Sequence, residues 1–176
     1  MSYRPITDVW FLARAKLKDG KKYYGAYLGG FPERARALLG ATINEPVLHV
    51  CGGMAKSYPY RGGFGPNDKT LDLAPETEPD YLQDARDAFP VGFKAILIDP
   101  PYTEQDAAKY SPGPSVFPSA NELCRNAIAA LEVGQRVGTI GYILPKVART
   151  KFIAAVGILC GFNNRIRLFS VFERIE

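Results

Sequence analysis

The residues best placed to do chemistry are Asp99, Pro100, Pro101 and Tyr102, which follow directly on the apolar run Ala95-Ile96-Leu97-Ile98. A continuous run of that kind is typical of a parallel strand buried on both faces. In an open parallel sheet, ligands bind beyond the carboxyl ends of the strands, where these four residues would stand. Their types suit the activation of an aromatic amine. Such an amine is a poor nucleophile, because its lone pair is delocalised into the ring. A carboxylate, here Asp99, can accept a hydrogen bond from one amine hydrogen. A backbone carbonyl, here that of Pro100, can accept the other. The nitrogen then turns tetrahedral and aims its lone pair at an incoming methyl group, while the same acceptors stabilise the charge that develops on it. The prolines hold the turn in place before substrate arrives. Tyr102 offers an aromatic face on which an extruded base can stack. From average residue usage, this tetrapeptide arises by chance in roughly one chain in a thousand of this length.

The elements that must position these residues follow from the same sequence. Short apolar runs alternate with amphipathic stretches, which argues for an α/β sheet with crossover helices. Residues 47–51 read as the first strong buried strand, closed by Gly52 and Gly53. A helix is expected before it over 32–39, with Pro32 in its first turn, Glu33 complementing its dipole and Gly40 at its end. A second strand is expected over 69–73, then a helix over 79–89, where Leu82, Ala85 and Phe89 fall at helical spacing. Residues 103–118, with Pro112, Pro114 and Pro118, read as a loop. Ser119-Ala120-Asn121-Glu122 has the capping-box pattern, so a helix should begin there with Leu123, Ala127, Ala130 and Leu131 on its inner stripe. Residues 137–144 read as another buried strand. Residues 152–160 read either as the end of a helix starting after Pro145 or as a strand. The turn residues Gly161-Phe162-Asn163-Asn164 favour a strand, paired as a hairpin with 165–174.

Composition sets the bounds. The chain has 176 residues, enough for one domain with a real core. Apolar residues are 47% and charged residues 23%, the balance of a soluble globular protein. No run reaches the roughly 18 apolar residues that a membrane span needs. The first residues do not have the form of a secretory signal, so a cytoplasmic protein is expected. Cys51, Cys124 and Cys160 are too few and too widely spaced for a disulfide framework or a zinc site, and His49 is the single histidine. No metal site is expected. The net charge of +4 is compatible with a nucleic-acid partner.

Asp99-Pro100-Pro101-Tyr102 resembles motif IV of the amino-methyltransferases, the family that makes N6-methyladenine and N4-methylcytosine in DNA. The resemblance implies a Rossmann-like α/β fold with a mostly parallel sheet and a C-terminal antiparallel hairpin. It implies S-adenosyl-L-methionine as cofactor, lying across the strand ends and reaching Asp99. In the family, the cofactor loop follows the first strand. Here His49, Cys51, Gly52 and Gly53 occupy that place, though the glycines are adjacent rather than spaced. The family's acid at the end of the second strand, which holds the ribose hydroxyls, corresponds to Asp72. Asp80 would lie near the cofactor adenine. Lys22-Tyr23-Tyr24-Gly25 resembles the motif that shapes the methionine pocket, which assigns Tyr24 and Gly25 to the cofactor. Lys109 and Tyr110, in the loop after the catalytic turn, could close over the target base.

The expected substrate is N6 of adenine in DNA, in preference to N4 of cytosine. The alternatives are an RNA base methyltransferase and a binding or scaffold protein that kept the fold and lost catalysis. The chain reads as a single catalytic domain over 1–176 with no separate target-recognition domain. Specificity would then be short or relaxed, or would come from a homodimer or a specificity partner.

Overall fold

The computed structural model describes residues 3–16, 26–58, 60, 62–110, 117–161 and 165–176. Its strands are β1 (Ile6–Arg14), β2 (Leu28–Gly29), β3 (Val47–Val50), β4 (Lys69–Asp72), β5 (Tyr81–Leu82), β6 (Ala95–Ile98), β7 (Arg136–Gly141), β8 (Thr150–Cys160) and β9 (Arg167–Arg174). They form one sheet in the order β2-β1-β8-β9-β7-β6-β3-β4-β5. From β7 to β5 the neighbours are parallel. Strand β9 is antiparallel to both β7 and β8. The expected mostly parallel sheet with a C-terminal antiparallel hairpin is therefore present.

The central strands β3 and β6 are buried at every position, as their continuous apolar runs require. Helix α1 (Phe31–Leu39) ends at Gly40, which takes a left-handed φ of 69°. The short helix α2 (Glu104–Ala107) lies within the segment read as a loop, and the Thr103 side chain caps it. In α3 (Ala120–Ala130) the expected cap is present, with the Ser119 hydroxyl accepting from the Glu122 amide at 3.2 Å. The sheet carries a core on each face. Helix α1 packs Phe31 and Leu39 with Trp10 and Phe169 on one side. Helix α3 packs Leu123 and Ala127 with Val50, Ile96 and Ile98 on the other. Each large side chain so buried contributes roughly 1.5–3 kcal/mol.

Three expectations are corrected. The helix over 79–89 does not form. Instead Tyr81–Leu82 adds a short parallel strand to β4. Asp80 draws it there by accepting from the Thr70 amide at 2.9 Å and its hydroxyl at 3.2 Å. Beyond it, Asp84 accepts from the Arg86 amide at 2.9 Å, so the backbone turns instead of coiling. Ala85 and Phe89 still reach the core, Ala85 from a turn and Phe89 from irregular chain. The strand expected over 137–144 stops at Gly141, and Tyr142, Ile143 and Leu144 leave the sheet exposed. Finally, β1, to which the sequence reading assigned no element, pairs in parallel with β8. Among the described residues, no helix is long and apolar enough to cross a membrane.

Candidate active site

Parallel pairing in the order β6-β3-β4-β5 sets four strand ends side by side. Asp99 follows β6, Cys51 to Gly53 follow β3, Asp72 ends β4, and Asp84 follows β5. The Asp99 amide donates to the Val50 carbonyl at 3.1 Å, which fixes the turn after β6 to the neighbouring strand end. Together these ends wall a cleft of about 690 Å³, part of it open to solvent. Cys51, Gly53, Asp72 and Asp84 form one end of it, and Asp99 and Pro101 the other. Tyr110 and Pro118 also line it. Pro100 itself is buried.

The loop after β3 is bent tightly enough to present backbone to a ligand. Cys51 and Gly53 take left-handed φ values of 55° and 49°. For Cys51 that is an uncommon conformation of the sort that collects at functional sites. A Cβ at Gly52 would stand 3.0 Å from the His49 carbonyl oxygen, a tight contact that a glycine avoids. The Gly53 amide donates to Asp72 Oδ2 at 2.8 Å, and the Ala74 amide donates to Oδ1 at 3.0 Å. A carboxylate has about four acceptor sites, so Asp72 keeps capacity for two hydroxyl groups. A backbone cradle with an acid at its rim fits a nucleoside with a free ribose diol. Burial pushes the Cys51 thiol well above the ordinary range, as do the charges of Asp72 and Asp99, which disfavours its thiolate.

At the other end, burial raises the Asp99 carboxyl to about 6. The Tyr102 hydroxyl and the charge of Arg167 hold it back from rising further. Tyr102 donates to Asp99 Oδ1 at 2.6 Å. Its ring centre lies 5.1 Å from that of Tyr142 and 5.4 Å from the guanidinium carbon of Arg167. Tyr102 thus holds Asp99 through its hydroxyl while its ring packs against Tyr142 and Arg167.

Two expected cofactor residues stand elsewhere. His49 is 1% exposed and lies beneath the cleft rather than on its wall. Its Nε2 lies 3.2 Å from Asp68 Oδ2 and its Nδ1 lies 3.2 Å from the Tyr27 hydroxyl. Alternation along β3 turns its side chain to the α1 face, where it completes a buried network with Asp68 and Arg36. Burial pushes the His49 imidazole below its ordinary value, with Asp68 opposing. Burial opposes the charge on Asp68, but His49 and Arg36 together hold its carboxyl below the ordinary range. Asp80 is likewise off the cleft wall, since it joins β4 to β5 and pairs with Lys56 at 3.4 Å and Lys69 at 3.3 Å. Tyr24 and Gly25 lie outside the described residues. Among the described residues, no cluster of three or more acids, histidines or cysteines could hold a metal.

The structure adds residues that sequence reading missed. Asp84 lines the cleft beside Asp72. Its only signal was an acid after a strand, and that strand is two residues long. Arg167 opens β9, which runs antiparallel to β7, so its first residue stands at the carboxyl end of the parallel strands. Asp106, 4% exposed, accepts from Thr103 Oγ1 at 3.0 Å, from Lys109 Nζ at 2.9 Å and from Arg165 Nη1 at 3.2 Å.

The fold is similar to that of TrmN from Thermus thermophilus, with a TM-score of 0.63 and 19% identity over 86% of this chain and 50% of that one. The chain thus spans about half the length of that relative. It is also similar to the N-methyltransferase NodS from Bradyrhizobium japonicum, with a TM-score of 0.51 and 10% identity over 84% and 98% of the two chains. An rRNA methylase from Streptococcus thermophilus matches with a TM-score of 0.50 and 11% identity over 81% and 95%. The fold is the Rossmann-like methyltransferase fold. No protein-family model matches the sequence, and no curated protein matches it.

Proposed function

We propose that this protein uses S-adenosyl-L-methionine to methylate an exocyclic amine of a nucleobase, with N6 of adenine in DNA as the substrate. The observation that carries this reading is the place of Asp99-Pro100-Pro101-Tyr102 at the carboxyl end of β6, with Asp99 and Pro101 lining the same cleft as Asp72 and Asp84. When bound, the cofactor supplies an electrophilic methyl group. Gly53 and the backbone around Gly52 would hold its methionine end, Asp72 its ribose hydroxyls, and Asp84 its adenine. Asp99 accepts one hydrogen bond from the target amine, and the Pro100 carbonyl accepts the second. Both acceptors stabilise the positive charge on nitrogen as the new bond forms. Above pH 6 Asp99 is ionised and able to accept.

Most of the affinity is proposed to come from phosphates, so binding weakens steeply with salt. The similarity to an rRNA methylase favours RNA as the second reading. Transfer of tritiated methyl groups to duplex DNA, single-stranded DNA and RNA, followed by nucleoside analysis, tests both. N6-methyladenine from DNA is expected. Label in RNA alone would move the substrate to RNA. No transfer, with no S-adenosyl-L-methionine binding by calorimetry, would overturn the reading.

A further inference from the structure

Beyond the catalytic turn, the mouth of the cleft carries an exposed apolar shelf. Strand β7 leaves the sheet after Gly141, and the next three residues, Tyr142, Ile143 and Leu144, are 39%, 77% and 46% exposed. This shelf is continuous with the site, because the Tyr142 ring centre is 5.1 Å from that of Tyr102. The shelf is edged with positive charge. Arg165 hydrogen-bonds Tyr142 and also pairs with Asp106, which holds Lys109 as well. One buried carboxylate thus orients two cations at the rim.

We infer that this mouth is built for an unpaired DNA strand, with Tyr142 as the platform for the base next to the target and Arg165 directed at its phosphate. The inference rests on the proposed nucleobase substrate and specifies the form in which it arrives. A duplex presents phosphates and buries its base faces. Against it, Ile143 and Leu144 would have nothing apolar to cover. An unpaired strand presents base faces and phosphates in turn, which suits aromatic rings interleaved with cations. The angle between the two tyrosines points the same way. Their planes meet at 52°, so they do not stack on each other and can face two bases that are splayed apart.

Fluorescence anisotropy with one labelled sequence, offered as single-stranded DNA, duplex DNA and single-stranded RNA, tests this without requiring turnover. Single-stranded DNA is expected to bind at least about tenfold more tightly than duplex. Tyr142→Ala should weaken strand binding roughly fivefold to a hundredfold, the range for losing one stacked base. Tyr142→Phe should stay close to wild type. Equal or tighter binding of duplex would overturn the inference, as would tighter binding of RNA. Unchanged affinity in a folded Tyr142→Ala variant would overturn it too. A dimer that Ile143→Glu dissociates with no change in strand affinity would show that the shelf belongs to a second copy. Strand binding that depends on Tyr142 but leads to methylation of no nucleic acid would defeat the proposed function alone. Methylation with a duplex preference would defeat this inference alone.

Discussion

The Tyr102 hydroxyl donates a hydrogen bond of 2.6 Å to Asp99 Oδ1, so the aromatic and the acid of the turn after β6 are held as a pair. Reading Tyr102 as a stacking ring makes phenylalanine an adequate replacement. The hydroxyl changes that expectation. Tyr102→Phe should lower the rate roughly tenfold, the cost of losing a hydrogen bond to a charged group. It should also move the acid limb of the pH profile upward, because the hydroxyl helps to keep Asp99 ionised. Initial rates across pH for Tyr102→Phe and Tyr102→Ala check this. A phenylalanine variant with wild-type rates and an unshifted profile would return Tyr102 to a stacking role alone.

On the proposed mechanism, Asp99→Ala removes the acceptor for the target amine. Loss of one such preorganised group costs on the order of a hundredfold to a thousandfold in rate. Cofactor affinity should change little, because the strand ends of β3, β4 and β5 wall the other end of the cleft. Turnover and calorimetry on the same preparation separate the two effects. Full activity in Asp99→Ala would remove the central assignment.

The raised carboxyl of Asp99 makes activity and stability run in opposite directions. Activity should rise with pH through about 6, as the carboxylate forms. Stability should do the reverse. The folded value, about 6, lies above the ordinary 3.8, so the folded state binds the proton more tightly. The stabilisation is complete below about 4 and is lost as pH rises to about 6. At pH 8 the cost of the buried charge is roughly 3 kcal/mol. Asp99→Asn should therefore raise the Tm at pH 8 and leave it nearly unchanged at pH 4. Thermal melts at the two values check this, and equal effects at both would contradict it.

Asp72 and Asp80, which the sequence resemblance assigned to the cofactor ribose and adenine, should separate by function. Asp72→Ala is expected to weaken S-adenosyl-L-methionine binding at least about tenfold, since it removes both the rim acid and the partner of the Gly53 amide. Asp80→Ala should act on stability first, because it releases β5 from Thr70. Calorimetry and thermal melts on both variants test the division. A binding loss confined to Asp80→Ala would reverse it.

Asp68→Ala leaves Arg36 and His49 buried without their shared acid. Breaking a buried pair from one side costs about 3–5 kcal/mol. Urea denaturation should show that loss, and a change within 1 kcal/mol, at the level of an exposed ion pair, would show that the network is dispensable.

Much of the fold was legible because it is recorded locally. The run 95–98 is apolar at every position and ends in two prolines, so both the buried strand and the rigid turn after it follow from adjacent residues. Gly40 closing α1 and Ser119 capping α3 are equally local. Where local signals competed, reading failed. Leu82, Ala85 and Phe89 have helical spacing, yet Asp80 and Asp84 satisfy backbone amides in other ways and the helix is lost.

By itself, then, the sequence determined the buried strand, the four-residue turn and the chemistry those residue types allow. Only the tertiary structure decided what surrounds them. His49 and Cys51 lie two residues apart, a spacing that would put both on one face of an unbroken strand, but β3 ends at Val50 and the left-handed backbone at Cys51 turns it to the cleft while His49 stays on the α1 face. Arg167 and Tyr142 meet Tyr102 because β9 is antiparallel to β7 and β7 lies beside β6. Which strand neighbours which depends on how the whole sheet buries its two faces, and no window of adjacent residues records that choice.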